Sequence, residues 1–284
     1  MKKKIMKGIG ILFVFLFVVI AVFPLLATVT NSFMSVSEVV DRYVQNTQTE
    51  NLRFVRLGLI PDRVSLEQYR TLLFVNPVYL RMVWNSLILV LPILAGQLVI
   101  APLAAYGFER MRWRHKEVLF FFYVVVMLMP MQVLLVPHFI VSGWLGIRES
   151  YLAIILPAIF HPLGVFLIRQ QIKGFPGECL EAARLDGAGE YAIYRRIMRP
   201  NMSGILAALM VLLFTDNWNI VDQAVVFIQN SFEEPMSVYL SRILTSDPGM
   251  FYAASAFYAL PALLVFFVGQ DYLIEGISMS GIKS

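Results

Sequence analysis

Hydrophobic and polar positions along this chain fall into long apolar blocks separated by short charged stretches, with little of the alternation that marks soluble strands or amphipathic helices. A run of about 20 apolar residues covers the ~30 Å hydrocarbon core of a bilayer as a helix, and lipid leaves the backbone to satisfy its own hydrogen bonds. Six segments pass that test, at about 8–30, 83–108, 118–140, 151–171, 204–228 and 251–272. The pattern predicts an all-α polytopic membrane protein with six transmembrane helices in a single domain over 1–284. It leaves an extracytoplasmic loop at 31–82 and a long cytoplasmic connection at 172–203.

Charge fixes the expected orientation. Lys2, Lys3, Lys4 and Lys7 precede the first block, and short basic flanks resist translocation, so both termini are expected in the cytoplasm. Counting spans then places Arg110, Arg112, Arg114 and Lys116 inside, together with Arg184, Arg195, Arg196 and Arg199. Arg42, Arg53, Arg56, Arg63 and Arg70 fall outside, in a long loop with interspersed acids where the rule is weak. The block from Gly8 to Val29 exceeds the 7 to 15 residues of a signal-peptide core, so a span is expected there and not a cleaved leader. The net charge of +4 is therefore topological and does not suggest nucleic-acid binding, while 58% hydrophobic residues call for a lipid surround. The lone Cys179 cannot form an intramolecular disulfide, and no Cys/His spacing suits a metal.

The 172–203 connection reads as two short helices joined by a bend. Pro176 suits the first turn of one helix, Glu178 and Glu181 suit its positive end, and Ala182 and Ala183 favour its interior. Gly187 and Gly189 permit left-handed backbone angles, and a second helix from about Glu190 to Met198 is expected to stop before Pro200. Glu181-Ala182-Ala183, then Gly187, then Ile197 and Pro200 match in order and spacing the shared cytoplasmic loop of binding-protein-dependent ABC importer permeases, which this chain resembles. Arg199 stands where that family usually has leucine.

Further pieces in the same order resemble the carbohydrate-uptake branch, the maltose and multiple-sugar transporter type of inner-membrane subunit. They are Asn85-Ser86-Leu87, Ala104-Ala105-Tyr106 with Arg110, Met129-Pro130-Met131-Gln132 with Pro137, and Trp218-Asn219. Ile220 and the Ser280–Ser284 tail depart from that branch. The resemblance implies a type I ABC importer permease fold. It also implies a second permease subunit as heterodimer partner, two nucleotide-binding ATPase subunits and an extracytoplasmic solute-binding protein, in the cytoplasmic membrane. Glu181, Ala182, Ala183, Arg184, Asp186, Gly187, Ile197 and Pro200 would form the coupling loop seated on an ATPase subunit. ATP and magnesium would belong to that subunit, with no cofactor on this chain.

Two absences fit a transport subunit and not an enzyme. No G-x-x-x-x-G-K-[ST] phosphate loop occurs, and His115, His138 and His161 are scattered without a nucleophile at recognisable spacing. Polar groups inside a span are costly and normally face a cavity or a partner helix. At about 100° per residue, Thr215, Asp216, Asn219, Asp222 and Gln223 fall within an arc of roughly 120° on a helical fifth span, with Trp218 beside it. Carboxylates and amides suit sugar hydroxyls and an aromatic face suits a sugar ring, so these residues, with Asn85 and Gln132, are the candidate substrate pathway. The alternatives are interhelical hydrogen bonding by the same side chains, a polyamine, phosphate-ester or osmolyte cargo, or a stand-alone channel or ion-coupled transporter.

Overall fold

The structure is a computed structural model, and it describes residues 2–44 and 60–281. Arg53, Arg56 and the last three residues of the tail lie outside them. Helix is the regular secondary structure among those residues, and the chain divides into two compact units, Met1–Arg81 with Tyr239–Pro261, and Met82–Val238 with Ala262–Ser284. In the first unit the short helical stretches at 36–44 and 67–70 pack against residues 248–250.

In the first unit, α1 (Lys2–Asn31) is an apolar rod that presents its side chains outward, as a lipid-facing span does. Two short helices follow, α2 (Val36–Val39) and α3 (Glu67–Arg70). Gln68 on α3 is fully buried and ties three segments together: its amide donates to the carbonyls of Asn31 (3.0 Å) and Met34 (2.8 Å) and accepts from the Ala253 N–H (3.2 Å). A buried amide is tolerated because its hydrogen bonds are made. Tyr79 likewise donates to the Ala254 carbonyl at 2.7 Å and packs edge-on against Tyr239 and Phe257.

Helix α4 (Pro77–Arg110) runs from the first unit into the second and forms the second span. The second unit continues with α5 (Lys116–Met127), α6 (Met131–Trp144), α7 (Leu152–Ile159), α8 (Pro162–Lys173), α9 (Gly177–Leu185), α10 (Glu190–Ile193), α11 (Ser203–Trp218) and α12 (Asp222–Phe227). Helix α13 (Met236–Ser246) lies in the connection that follows α12, and α14 (Phe251–Gly281) is the last span. Leu89, Ile93, Ile154, Ala224, Phe227 and Val238 meet in a buried apolar cluster. Among the described residues, four helices are long and apolar enough to cross a membrane, or up to six if each bent pair is one span.

Two expected spans are not continuous helices. The third, 118–140, breaks at Leu128–Pro130 into α5 and α6, which diverge by 109°. Pro130 takes an extended ψ of 139° and its ring disfavours helical geometry at Met129, which accounts for the break. The fifth, 204–228, is helical only to Trp218 and resumes at Asp222. Here Thr215, Asn217 and Asn219 each bond back to the carbonyl four residues earlier, at 2.9, 2.7 and 2.7 Å, competing with the backbone pattern. The fourth span also bends at Phe160–His161, between α7 and α8.

Candidate functional site

The candidate coupling loop is built on a well-formed helix end. Helix α9 starts after Pro176, which takes the capping position and not the first helical one, and Leu180 anchors it in the core. At its far end the Gly187 N–H bonds the Arg184 carbonyl (3.0 Å) and the Ala188 N–H bonds the Ala183 carbonyl (2.9 Å). That is the Schellman arrangement, which needs a left-handed residue, and Gly187 supplies it with φ 83°. Gly189 is not left-handed as expected: at φ −71° it caps α10 in extended geometry.

Helix α10 widens into a π turn over Tyr194–Met198 and resumes at Arg199–Asn201, so the chain stays helical through Pro200 instead of stopping before it. A wider turn accommodates a residue that lacks an N–H. A sharp 70° bend then leads into α11.

Glu190 joins the two arms. Its carboxylate accepts from Arg184 Nε at 2.8 Å and from Tyr106 Oη on α4 at 2.5 Å. Arg184, and after it Tyr106, hold the Glu190 carboxyl below its usual range. Glu181, Ala182, Arg184, Asp186 and Pro200 remain exposed, Ala183 and Ile197 are half-buried, and the apolar Leu185 (89% exposed) and Tyr191 (71% exposed) project from the same loop.

Helix α4 grips α8, the rod leading into α9, along its length. Gln97, fully buried, donates to the Ala158 carbonyl at 2.7 Å and the His161 carbonyl at 3.3 Å. The first of these replaces the bond that Pro162, having no N–H, cannot make. A Cβ on Gly164 would lie 2.6 Å from Gln97 Oε1 and 3.1 Å from Leu209 on α11, so three helices meet there only because residue 164 is glycine. At the other end Arg110 donates to the Ile172 and Phe175 carbonyls at 2.6 and 2.7 Å. Between them Arg169 pairs with Glu109 on α4 at 2.9 Å and Glu117 on α5 at 2.7 Å, its guanidinium 3.9 Å above the Phe120 ring. Sequence reasoning passed over Gln97, Glu109 and Arg169. The signal was there, a polar and a charged side chain inside apolar blocks.

The candidate pathway residues separate into two groups. Gln132, at the start of α6, donates to Asp222 Oδ2 at 3.0 Å, joining the breaks of the third and fifth spans. Asp216 and Asn219 are exposed beside the same break. Gln223 is half-buried on α12, and its Oε1 has no hydrogen-bond partner among the described residues. Gln132, Asp216, Asn219 and Asp222 thus bring polar groups to the breaks of the third and fifth spans.

Asn85 and Trp218 sit elsewhere than expected. The Asn85 amide is committed to the Phe232 and Glu234 carbonyls at 2.8 and 3.0 Å, pinning the 229–236 segment to α4 beside the Ser86–Met236 bond. Trp218 is 2% exposed and stacked on Phe214 at 5.3 Å, and so offers no open face to a ring. Asp222 and Gln223 also belong to a separate short helix, so the expected stripe on one continuous fifth helix does not exist.

Residues 82–278 match the family described as binding-protein-dependent transport system inner membrane component. The chain belongs to that family. As a family member it is a multi-pass transport permease that works with a solute-binding protein. Among its relatives is the arabinooligosaccharides transport system permease protein of Bacillus subtilis (strain 168), 28% identical, with 81% of this chain and 83% of the relative covered. The lactose transport system permease protein of Rhizobium radiobacter is 30% identical over 68% of this chain and 72% of its own length. The permease also shares its fold, with a TM-score of 0.80 at 20% identity, with a bacterial ABC transporter involved in the import of the acidic polysaccharide alginate, covering 95% of this chain and 97% of that one.

Proposed function

We propose that this permease carries a carbohydrate, handed to it by an extracytoplasmic binding protein, across the cytoplasmic membrane as one half of a heterodimer powered by two separate ATPase subunits. The observation that carries the reading is the coupling loop: a capped, braced helix that projects Leu185 and Tyr191 outward while its root is fixed to α4. Apolar side chains on an otherwise charged projection suit a protein groove.

ATP and magnesium act on the ATPase subunits, which bind one conformation of the importer better than the other. Glu181 to Pro200 on this chain receive that preference as a displacement. Because Gln97, Arg169 and Arg110 bind α8 to α4 at both ends and between, the two helices move as one lever. The displacement reaches the breaks of the fourth and fifth spans, and the equilibrium between inward- and outward-facing states shifts. Both termini lie in the cytoplasm in this reading, consistent with the basic flanks of the first span and of α5.

Asp216, Asn219, Asp222, Gln223 and Gln132 would meet sugar hydroxyls at the breaks. Carbohydrate is favoured because relatives named for arabinooligosaccharides and lactose align over most of the chain. A second cargo class has its own support: relatives named for sn-glycerol-3-phosphate (Brucella abortus) and for osmoprotective compounds (Synechocystis) are 26% and 31% identical. Uptake of labelled oligosaccharides, disaccharides, glycerol phosphate and polyamines by cells expressing the complete importer separates them. Sugar uptake reduced by Asp222→Asn supports the reading, and saturable uptake confined to a phosphate ester or an amine overturns the cargo assignment.

A further inference from the structure

Helices α6 and α12 meet at two points of opposite character. At the starts of the two helices the contact is polar: Gln132 Nε2 donates to Asp222 Oδ2 at 3.0 Å, and both side chains are exposed. Farther along both helices the Phe139 and Phe227 rings lie 6.2 Å apart, and Phe227 is 1% exposed within the apolar cluster. Each polar start follows directly on a break. Helix α6 leaves Pro130 at 109° to α5, and α12 follows the non-helical 219–221, where the Ser237 hydroxyl donates to the Ile220 carbonyl. Among the described residues no other side-chain hydrogen bond or ion pair joins α6 to α12. The two points differ in what their loss costs. Parting the rings exposes apolar surface to water, whereas an exposed hydrogen bond exchanges its partner for water at little net cost. The polar end is therefore the one free to open.

We propose that the Gln132–Asp222 bond is a latch across the breaks of the third and fifth spans, closed in the conformation seen here and released in the other state of the transport cycle, with α6 and α12 pivoting on Phe139 and Phe227. While the latch is closed, the Asp222 carboxylate and the Gln132 amide offered above to a sugar are spent on each other, so the latch also decides when that pair is free to bind. An exposed hydrogen bond makes a weak latch. It biases the two states by about fivefold, which ATP binding can overcome through its own preference for one of them. The proposal rests on the importer reading for ATP as the source of the change, and takes nothing from the identity of the cargo.

The test uses the complete importer with the one cysteine of this chain, Cys179, replaced by serine. It carries Gln132→Cys with Asp222→Cys and is treated with a short bifunctional thiol reagent. Cross-link yield should differ by about fivefold or more between importer without nucleotide and importer trapped with ATP and vanadate, and cross-linked importer should lose ATP hydrolysis. In the parent, amide hydrogen exchange over residues 219–224 should quicken in the condition of low yield, and Gln132→Leu should show the faster exchange in both conditions. Both latch residues are exposed, so these variants fold. Equal yields in the two conditions, hydrolysis undiminished by the cross-link, or exchange in Gln132→Leu no faster than in the parent overturns the proposal. Hydrolysis by the parent in the same preparation judges the importer reading separately, and if it is absent the exchange comparison still decides the latch.

Discussion

Replacing Gly187 is the sharpest perturbation of the coupling loop, because the structure separates two reasons for a glycine there. Its φ of 83° lies where a side chain with a Cβ is strained, yet a Cβ built at the position meets no atom within 4 Å. Inside the chain the penalty is therefore backbone strain and not a clash. Left-handed geometry costs an ordinary residue about 1–2 kcal/mol, less for asparagine, and most for a β-branched side chain. That range lowers the population of the capped bend by a factor of about 5–30. If the capped bend is what the ATPase subunit binds, its apparent affinity falls by the same factor. In a detergent binding assay with the ATPase subunit, Gly187→Asn should approach the parent, Gly187→Ala should weaken and Gly187→Val should be weakest. Two results would refute the reasoning: asparagine as damaging as valine, which would mean that a partner atom packs on Gly187, or valine without effect.

The grip of α4 on α8 makes Gln97→Leu an informative change. It removes the donor from the part-buried Ala158 and His161 carbonyls at a cost of about 1 kcal/mol, so a lower melting temperature and slower uptake with intact assembly are expected, and unaltered uptake would remove Gln97 from the lever. Arg169→Met leaves Glu109, only 17% exposed at its side chain, without a cation. Breaking such a pair costs about 3 kcal/mol or more, readable as a drop in melting temperature that Glu109→Gln partly restores if the pair is the cause. Glu190 gives a pH test. Its carboxyl is depressed in the folded loop by Arg184 and Tyr106, so the stabilisation is complete above the ordinary carboxyl value of 4.5 and is lost as pH falls below it through the folded value. Hydrogen exchange in residues 184–194 should quicken over that acid range in the parent and show no such pH step in Glu190→Gln.

The helix, bend and second helix of residues 177–201 were legible because their signals are local. A glycine four residues after an alanine pair, acids at a helix start and a proline downstream each act within a turn or two of chain. Membrane helices were legible from apolar length alone, but their continuity was not. Pro130 sits in a block apolar enough to read through, and the Thr215, Asn217 and Asn219 back-bonds that end α11 matter only because the spans around them supply Gln132 and Ser237 as partners for the opened segment. Asn85 illustrates the opposite limit: an amide at the edge of a span has the chemistry of a sugar contact, and only the fold shows its donors spent on the 232 and 234 carbonyls. Pro200 misled for a related reason, since proline excludes a regular helix but not a π-widened one.

Affinity purification of the tagged chain in mild detergent, with mass spectrometry of its partners and an ATPase assay on the product, tests the central claim most directly. An importer half should bring down a second permease and a phosphate-loop ATPase, and ATP hydrolysis by that complex should rise when the liganded binding protein is added. A chain recovered alone or only with copies of itself, with no associated hydrolysis, would contradict the coupling role of residues 177–201.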